Sequence, residues 1–151
     1  MAESRPEQLS LGVSLKDDST FENFHAAIGS ANAQMVAALR AQLMLGGERF
    51  IYLWGGSGVG LTHLLQASCH LAETDQLRVQ YLPLKELVGY APEALLEGLD
   101  RLDLVCLDGL DAVAGKPDWE LALFNLYNAL REGEGRLLVA AESKLRKYGT
   151  S

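Results

Sequence analysis

At 151 residues, with 48% hydrophobic and 7% aromatic content, the chain has the length and apolar mass of one globular domain with a real core. Lys plus Arg number 13 against 20 for Asp plus Glu, a formal net charge of −7, which argues against a broad nucleic-acid-binding face and favours protein or nucleotide partners. No apolar run approaches the roughly 18 residues of a membrane span, and Met1-Ala2-Glu3-Ser4-Arg5-Pro6 lacks the apolar core of a secretory signal, so a cytoplasmic protein without membrane association is expected.

Residues 1–17 read as an extended polar tail, with Pro6 and Gly12 and no periodicity. Within it, Gln8-Leu9-Ser10-Leu11-Gly12-Val13 sets alternating apolar residues behind a glutamine. On residue chemistry alone this is a tail with a few apolar side chains. Its other reading is an extended peptide whose alternate side chains enter a partner's groove. Phe21 and Phe24 then stand close together before a helical pattern that runs from about Asn32 through Met35, Val36, Leu39 and Leu43 to Gly46-Gly47. Such aromatics are ordinarily core anchors; their alternative use is to close over a purine ring.

Phe50 to Trp54 is a continuous apolar run, as expected of a parallel strand buried on both faces. A glycine-rich turn follows, and Leu61, Leu64, Leu65, Ser68 and Leu71 mark a helix with one apolar face. Leu77 to Leu82 alternates apolar and polar residues, the pattern of a less buried strand, and Pro83 stops it. A short helix is predicted over Pro92 to Leu99, and a third, wholly apolar strand over Leu104 to Asp108. Asp118 is the predicted cap of a further helix, whose apolar positions are Leu121, Leu123, Phe124, Tyr127 and Leu130. Arg136 to Ala141 is the fourth strand, and residues 143–151 form a second tail. Strands alternating with helices predict an α/β fold, a parallel sheet of about four strands flanked by helices over residues 18–142. Cys69 and Cys106 read as buried free thiols, and Cys69 with His63 and His70 matches no zinc spacing.

The chemistry lies in Gly55-Gly56-Ser57-Gly58-Val59-Gly60-Leu61-Thr62. Gly55, four intervening residues, Gly60 and Thr62 have the spacing of a phosphate-binding loop. Glycines let successive N–H groups point inward, and the helix that follows adds unpaired donors at its positive end. Thr62 would offer a hydroxyl to Mg2+, and Asp108, ending a neighbouring apolar strand, would face the same ion. The position that should carry lysine holds Leu61. A lost charge-assisted hydrogen bond is worth about 1.5–3 kcal/mol, or roughly 10- to 100-fold in affinity. ADP is therefore expected to bind weakly, and Leu61→Lys to restore about tenfold or more. Gly109 follows Asp108, so no adjoining carboxylate orients an attacking water, and turnover is not expected.

These residues together resemble the DnaA-related AAA+ proteins. Gln8 to Val13 is similar to a sliding-clamp-binding hexapeptide in that family's regulatory members. Asp18 to Phe24 resembles the segment near the adenine, and Tyr52-Leu53-Trp54 with the glycine loop and Thr62-His63-Leu64-Leu65 resembles the P-loop and its helix. Leu104 to Asp108, with Trp119-Glu120 and Phe124 to Asn128, resembles the Walker B strand and the next helix. The resemblance implies a three-layer P-loop NTPase-type (AAA+) sheet, DnaA and the beta sliding clamp as partners, and a part in restraining replication initiation. It implies that Gln8, Leu9, Ser10, Leu11 and Val13 meet the clamp, and that Phe21 and Phe24 join the nucleotide site. Gly12 and Val13 depart from the proline and leucine usual in the hexapeptide, and Glu142 falls near the sensor-1 acidic position. On the same resemblance, the fifth strand, arginine finger and helical lid are expected to be missing, leaving a partial domain.

Overall fold

The computed structural model describes residues 33–44, 46–54 and 58–142. In chain order these form α1 (Ala33–Gln42), β1 (Phe50–Trp54), α2 (Gly58–Thr74), β2 (Val79–Pro83), α3 (Leu84–Leu87), α4 (Pro92–Leu96), a 3-10 turn (Leu99–Arg101), β3 (Leu104–Asp108), a second 3-10 turn (Leu110–Val113), α5 (Pro117–Glu132) and β4 (Arg136–Ala141). The four strands are parallel in the order β1-β4-β3-β2. From β1 the chain crosses the sheet to β2, carrying α2 over one face. It then returns through β3 to β4, which places α3, α4 and α5 on the other, as right-handed crossovers require.

The strands supply both cores by alternation. Leu104, Cys106, Leu138 and Ala140 pack with Val36, Leu39, Leu64 and Leu65 of α1 and α2. Val105, Leu107 and Leu137 pack with Leu84, Leu87, Leu96, Trp119, Leu126 and Leu130. Cys69 and Cys106 meet in the first core with sulfurs 3.4 Å apart, both buried free thiols. Burial, the Cys106 contact and nearby carboxylates push the Cys69 thiol well above its ordinary range, so Cys69 remains an inert thiol.

Burial in β1 and β2 is the reverse of the sequence expectation. β2 is buried along Val79 to Leu82 because α2 covers one face and the α3 region the other. On β1, Tyr52 is 42% and Trp54 52% exposed, on the same face as Phe50. Phe50 itself meets Tyr127 of α5, with ring centroids 5.3 Å apart. Two further corrections concern α5. Pro117 occupies its first turn and Lys116 is the N-cap residue, so Asp118 is not the cap; its Oδ1 instead accepts the Trp119 N–H at 2.8 Å. The inward face is Trp119, Leu126 and Leu130, whereas Leu121, Phe124 and Tyr127 are exposed. The predicted Pro92 to Leu99 helix is cut short at Leu96, and Gly98 turns the chain at φ 83°.

The end of the sheet where the strands begin is tied by Gln42 and Arg49. The buried Gln42 donates its Nε2 amide to the carbonyls of Arg49 (3.1 Å) and Leu137 (3.0 Å). Arg49 donates Nη2 to the carbonyls of Leu130 (2.6 Å) and Gly133 (2.8 Å) and Nε to that of Gly135 (3.1 Å). A guanidinium thereby meets the Leu130 carbonyl in the last turn of α5 and two carbonyls just beyond it, at the negative end of the helix dipole. Arg49→Ala is expected to lower stability by about 2 kcal/mol in thermal denaturation. A loss below about 0.5 kcal/mol, the range of an ordinary surface substitution, would count against this capping role.

Candidate nucleotide site

Ligands of open parallel sheets sit beyond the carboxyl ends of the strands, where connections diverge to opposite faces. At that edge β1 ends at Trp54, and β3 ends at Asp108. Between them, β4 ends in Ala140 and Ala141, with Trp54 in register with Ala141 and Asp108 with Ala140.

α2 begins at Gly58, earlier than the sequence pattern places it. Gly58, Val59, Gly60 and Leu61 form its first turn, whose N–H groups have no acceptor within the helix. Thr62 follows, half-buried. Leu61 points into the first core and is 7% exposed, packed with Leu64 and Leu65. Its contribution to an anion site is confined to its backbone. Gly55, Gly56, Ser57, Phe21, Phe24 and the Gln8–Val13 peptide lie outside the described residues.

Asp108 is half-buried, and its Oδ2 accepts the Tyr81 hydroxyl at 2.6 Å. Burial, the Asp108 hydrogen bond and its charge push the Tyr81 phenol far above its ordinary value, so it remains a donor. Gln66, buried four positions after Thr62 on α2, donates to the same phenol oxygen. Neither Tyr81 nor Gln66 belongs to the loop motif. The signal in the sequence is a long polar side chain, Gln66, beside the apolar positions of α2. Beyond Asp108, Gly109 has φ 83° and donates its N–H to Ala140 O at 2.9 Å. Asp111 uses Oδ1 to hold the Glu142 N–H at 2.8 Å, tying the 3-10 turn after β3 to the end of β4. Asp111 is thus engaged with backbone.

A hydroxyl and a carboxylate are the hard oxygen donors that Mg2+ takes, usually beside phosphate oxygens and water. Thr62 and Asp108 are the residues that would hold such an ion, and the first turn of α2 has the N–H groups that would meet a phosphate.

A parallel β1-β4-β3-β2 sheet flanked by helices, with α2 following β1, defines a partial P-loop NTPase-type domain of the AAA+ class. The bacterial DnaA ATPase domain model matches residues 15–148, and the chain belongs to that family. AMPPCP-bound DnaA from Aquifex aeolicus superposes with a TM-score of 0.75 at 26% identity, covering 89% of this chain and 45% of that one. A replication initiator DnaA bound to AMPPCP and single-stranded DNA gives 0.73 at 27% identity, covering 87% and 44%. Domain III of Thermotoga maritima DnaA gives 0.69 at 27% identity, covering 87% and 59%. The chain spans less than two thirds of each of these structures. Among the described residues, no helix is long and apolar enough to cross a membrane.

Proposed function

We propose that this chain is a non-catalytic adaptor similar to the DnaA regulatory inactivator Hda. Gln8, Leu9, Ser10, Leu11 and Val13 engage the beta sliding clamp, and the AAA+ domain meets DnaA to restrain replication initiation. The nucleotide site holds ADP weakly with Mg2+ and does not turn over ATP. The observation that carries this reading is Leu61, which stands at the lysine position and packs into the core. A γ-phosphate in transfer would have no fixed cation from this position. Gly109 after Asp108 and the engagement of Asp111 with Glu142 support the same reading. Clamp binding rests on the sequence of Gln8 to Val13 and its family resemblance.

The test is capture of the chain on immobilised beta clamp, compared with Gln8→Ala. The intact chain is expected to bind, and the variant to lose about tenfold, the scale of one well-placed interface contact. No capture of the intact chain removes the adaptor reading. A second reading, a P-loop ATPase of replication-initiator or helicase-loader type, draws on the family and on the ordered Asp108. It requires Mg2+-dependent ATP hydrolysis that Asp108→Ala abolishes.

A further inference from the structure

We propose that Tyr81 is a positioning residue for the metal-facing carboxylate: its hydroxyl holds Asp108 Oδ2 and presents Oδ1 to a nucleotide-bound Mg2+ or its water. The inference rests on the nucleotide-site reading and deepens it. No loop motif contains this residue; the β2–β3 register brings it into place. Tyr81 lies opposite Cys106, so its side chain shares the α2 face of the sheet with Asp108 two residues further along β3. The phenol spans that diagonal and reaches the carboxylate at 2.6 Å, the length of an O–H···O⁻ bond to a charged acceptor.

Asp108 is the last residue of its strand, and the torsion that turns a carboxylate plane is intrinsically soft. One short bond from a 5%-exposed side chain removes that freedom. The phenol is fixed in turn by Gln66, on the turn of α2 that follows Thr62. Asp108 is thereby tied through Tyr81 and Gln66 to α2, the helix that also carries Thr62. Outer partners of this kind commonly change metal affinity 10- to 100-fold when removed.

The experiment measures AMPPCP affinity by calorimetry, in Mg2+ and in EDTA, for the intact chain, Tyr81→Phe, Asp108→Ala and the double variant. Tyr81→Phe is expected to reduce the Mg2+ enhancement by about tenfold while leaving affinity in EDTA unchanged. It should add nothing on top of Asp108→Ala. A merely structural role would weaken both conditions alike, and that result overturns the proposal. So does an unaltered Mg2+ enhancement in Tyr81→Phe. If the intact chain binds AMPPCP without regard to Mg2+, or not at all, the nucleotide-site reading falls, and the positioning role with it. Gln66→Met, which keeps the phenol and loosens it, is the second variant should Tyr81→Phe fail to fold. It is expected to lose about threefold of the Mg2+ enhancement, part of the range for an outer partner, and an unchanged value overturns the proposal.

Discussion

Leu61→Lys, the substitution that would restore the missing cation, is expected to lower stability by about 2–4 kcal/mol and to raise ADP affinity by less than tenfold. Leu61 is 7% exposed and packs with Leu64, Leu65 and the strand residues beneath α2. Replacing it removes a buried apolar side chain, worth about 2 kcal/mol, and asks an ammonium to leave the core. A lysine stem can remain against the apolar surface while its head reaches solvent or phosphate, which limits the loss. Reaching the phosphate thus competes with keeping α2 seated on the sheet, and the affinity gain read from sequence is offset. Urea denaturation and ADP calorimetry on the same preparations check both effects. An unchanged midpoint with a tenfold or greater gain in affinity would mean that residue 61 faces the ligand.

Trp119→Ala is expected to cost about 3–5 kcal/mol, a large part of the roughly 5–15 kcal/mol that holds a domain folded. Trp119 is 1% exposed in the first turn of α5, and its indole N–H donates to Val88 O at 3.2 Å. It joins α5 to the segment after α3 and fills the second core with Leu84, Leu87 and Val113. That core supports the 3-10 turn after β3, from which Asp111 reaches Glu142. Trp119→Phe keeps most of the ring volume and should cost about 1–2 kcal/mol, chiefly the indole hydrogen bond. Equal urea midpoints for Trp119→Ala and the parent chain would remove Trp119 from the core's account.

Some elements were legible because their causes are local. Phe50 to Trp54, Leu104 to Asp108 and Arg136 to Ala141 are apolar runs ended by turn-forming residues, and the strands have those bounds. Thr62 on a helix and Asp108 at a strand end were likewise read from spacing. Burial of β1 and β2 was inverted because it depends on which elements cover each strand, a property of the assembled sheet. On α5, two faces rich in apolar residues compete, and Trp119, Leu126 and Leu130 turn inward while Phe124 remains 59% exposed. The Tyr81–Asp108 bond depends on strand register, which neither stretch contains alone.

The ties made by Gln42 and Arg49 have a consequence for how such a protein changes over time. They gather α1, the start of β1, the end of α5 and the start of β4 at the edge opposite the one where β3 ends in Asp108. The fastening of the fold and the candidate nucleotide site therefore sit at opposite poles of the sheet. A lysine can be exchanged for a residue the core prefers at one pole while the other keeps the chain closed. Loss of the cation and retention of a rigid body are then compatible steps in one lineage, and the surface of that body is available to evolve under other demands.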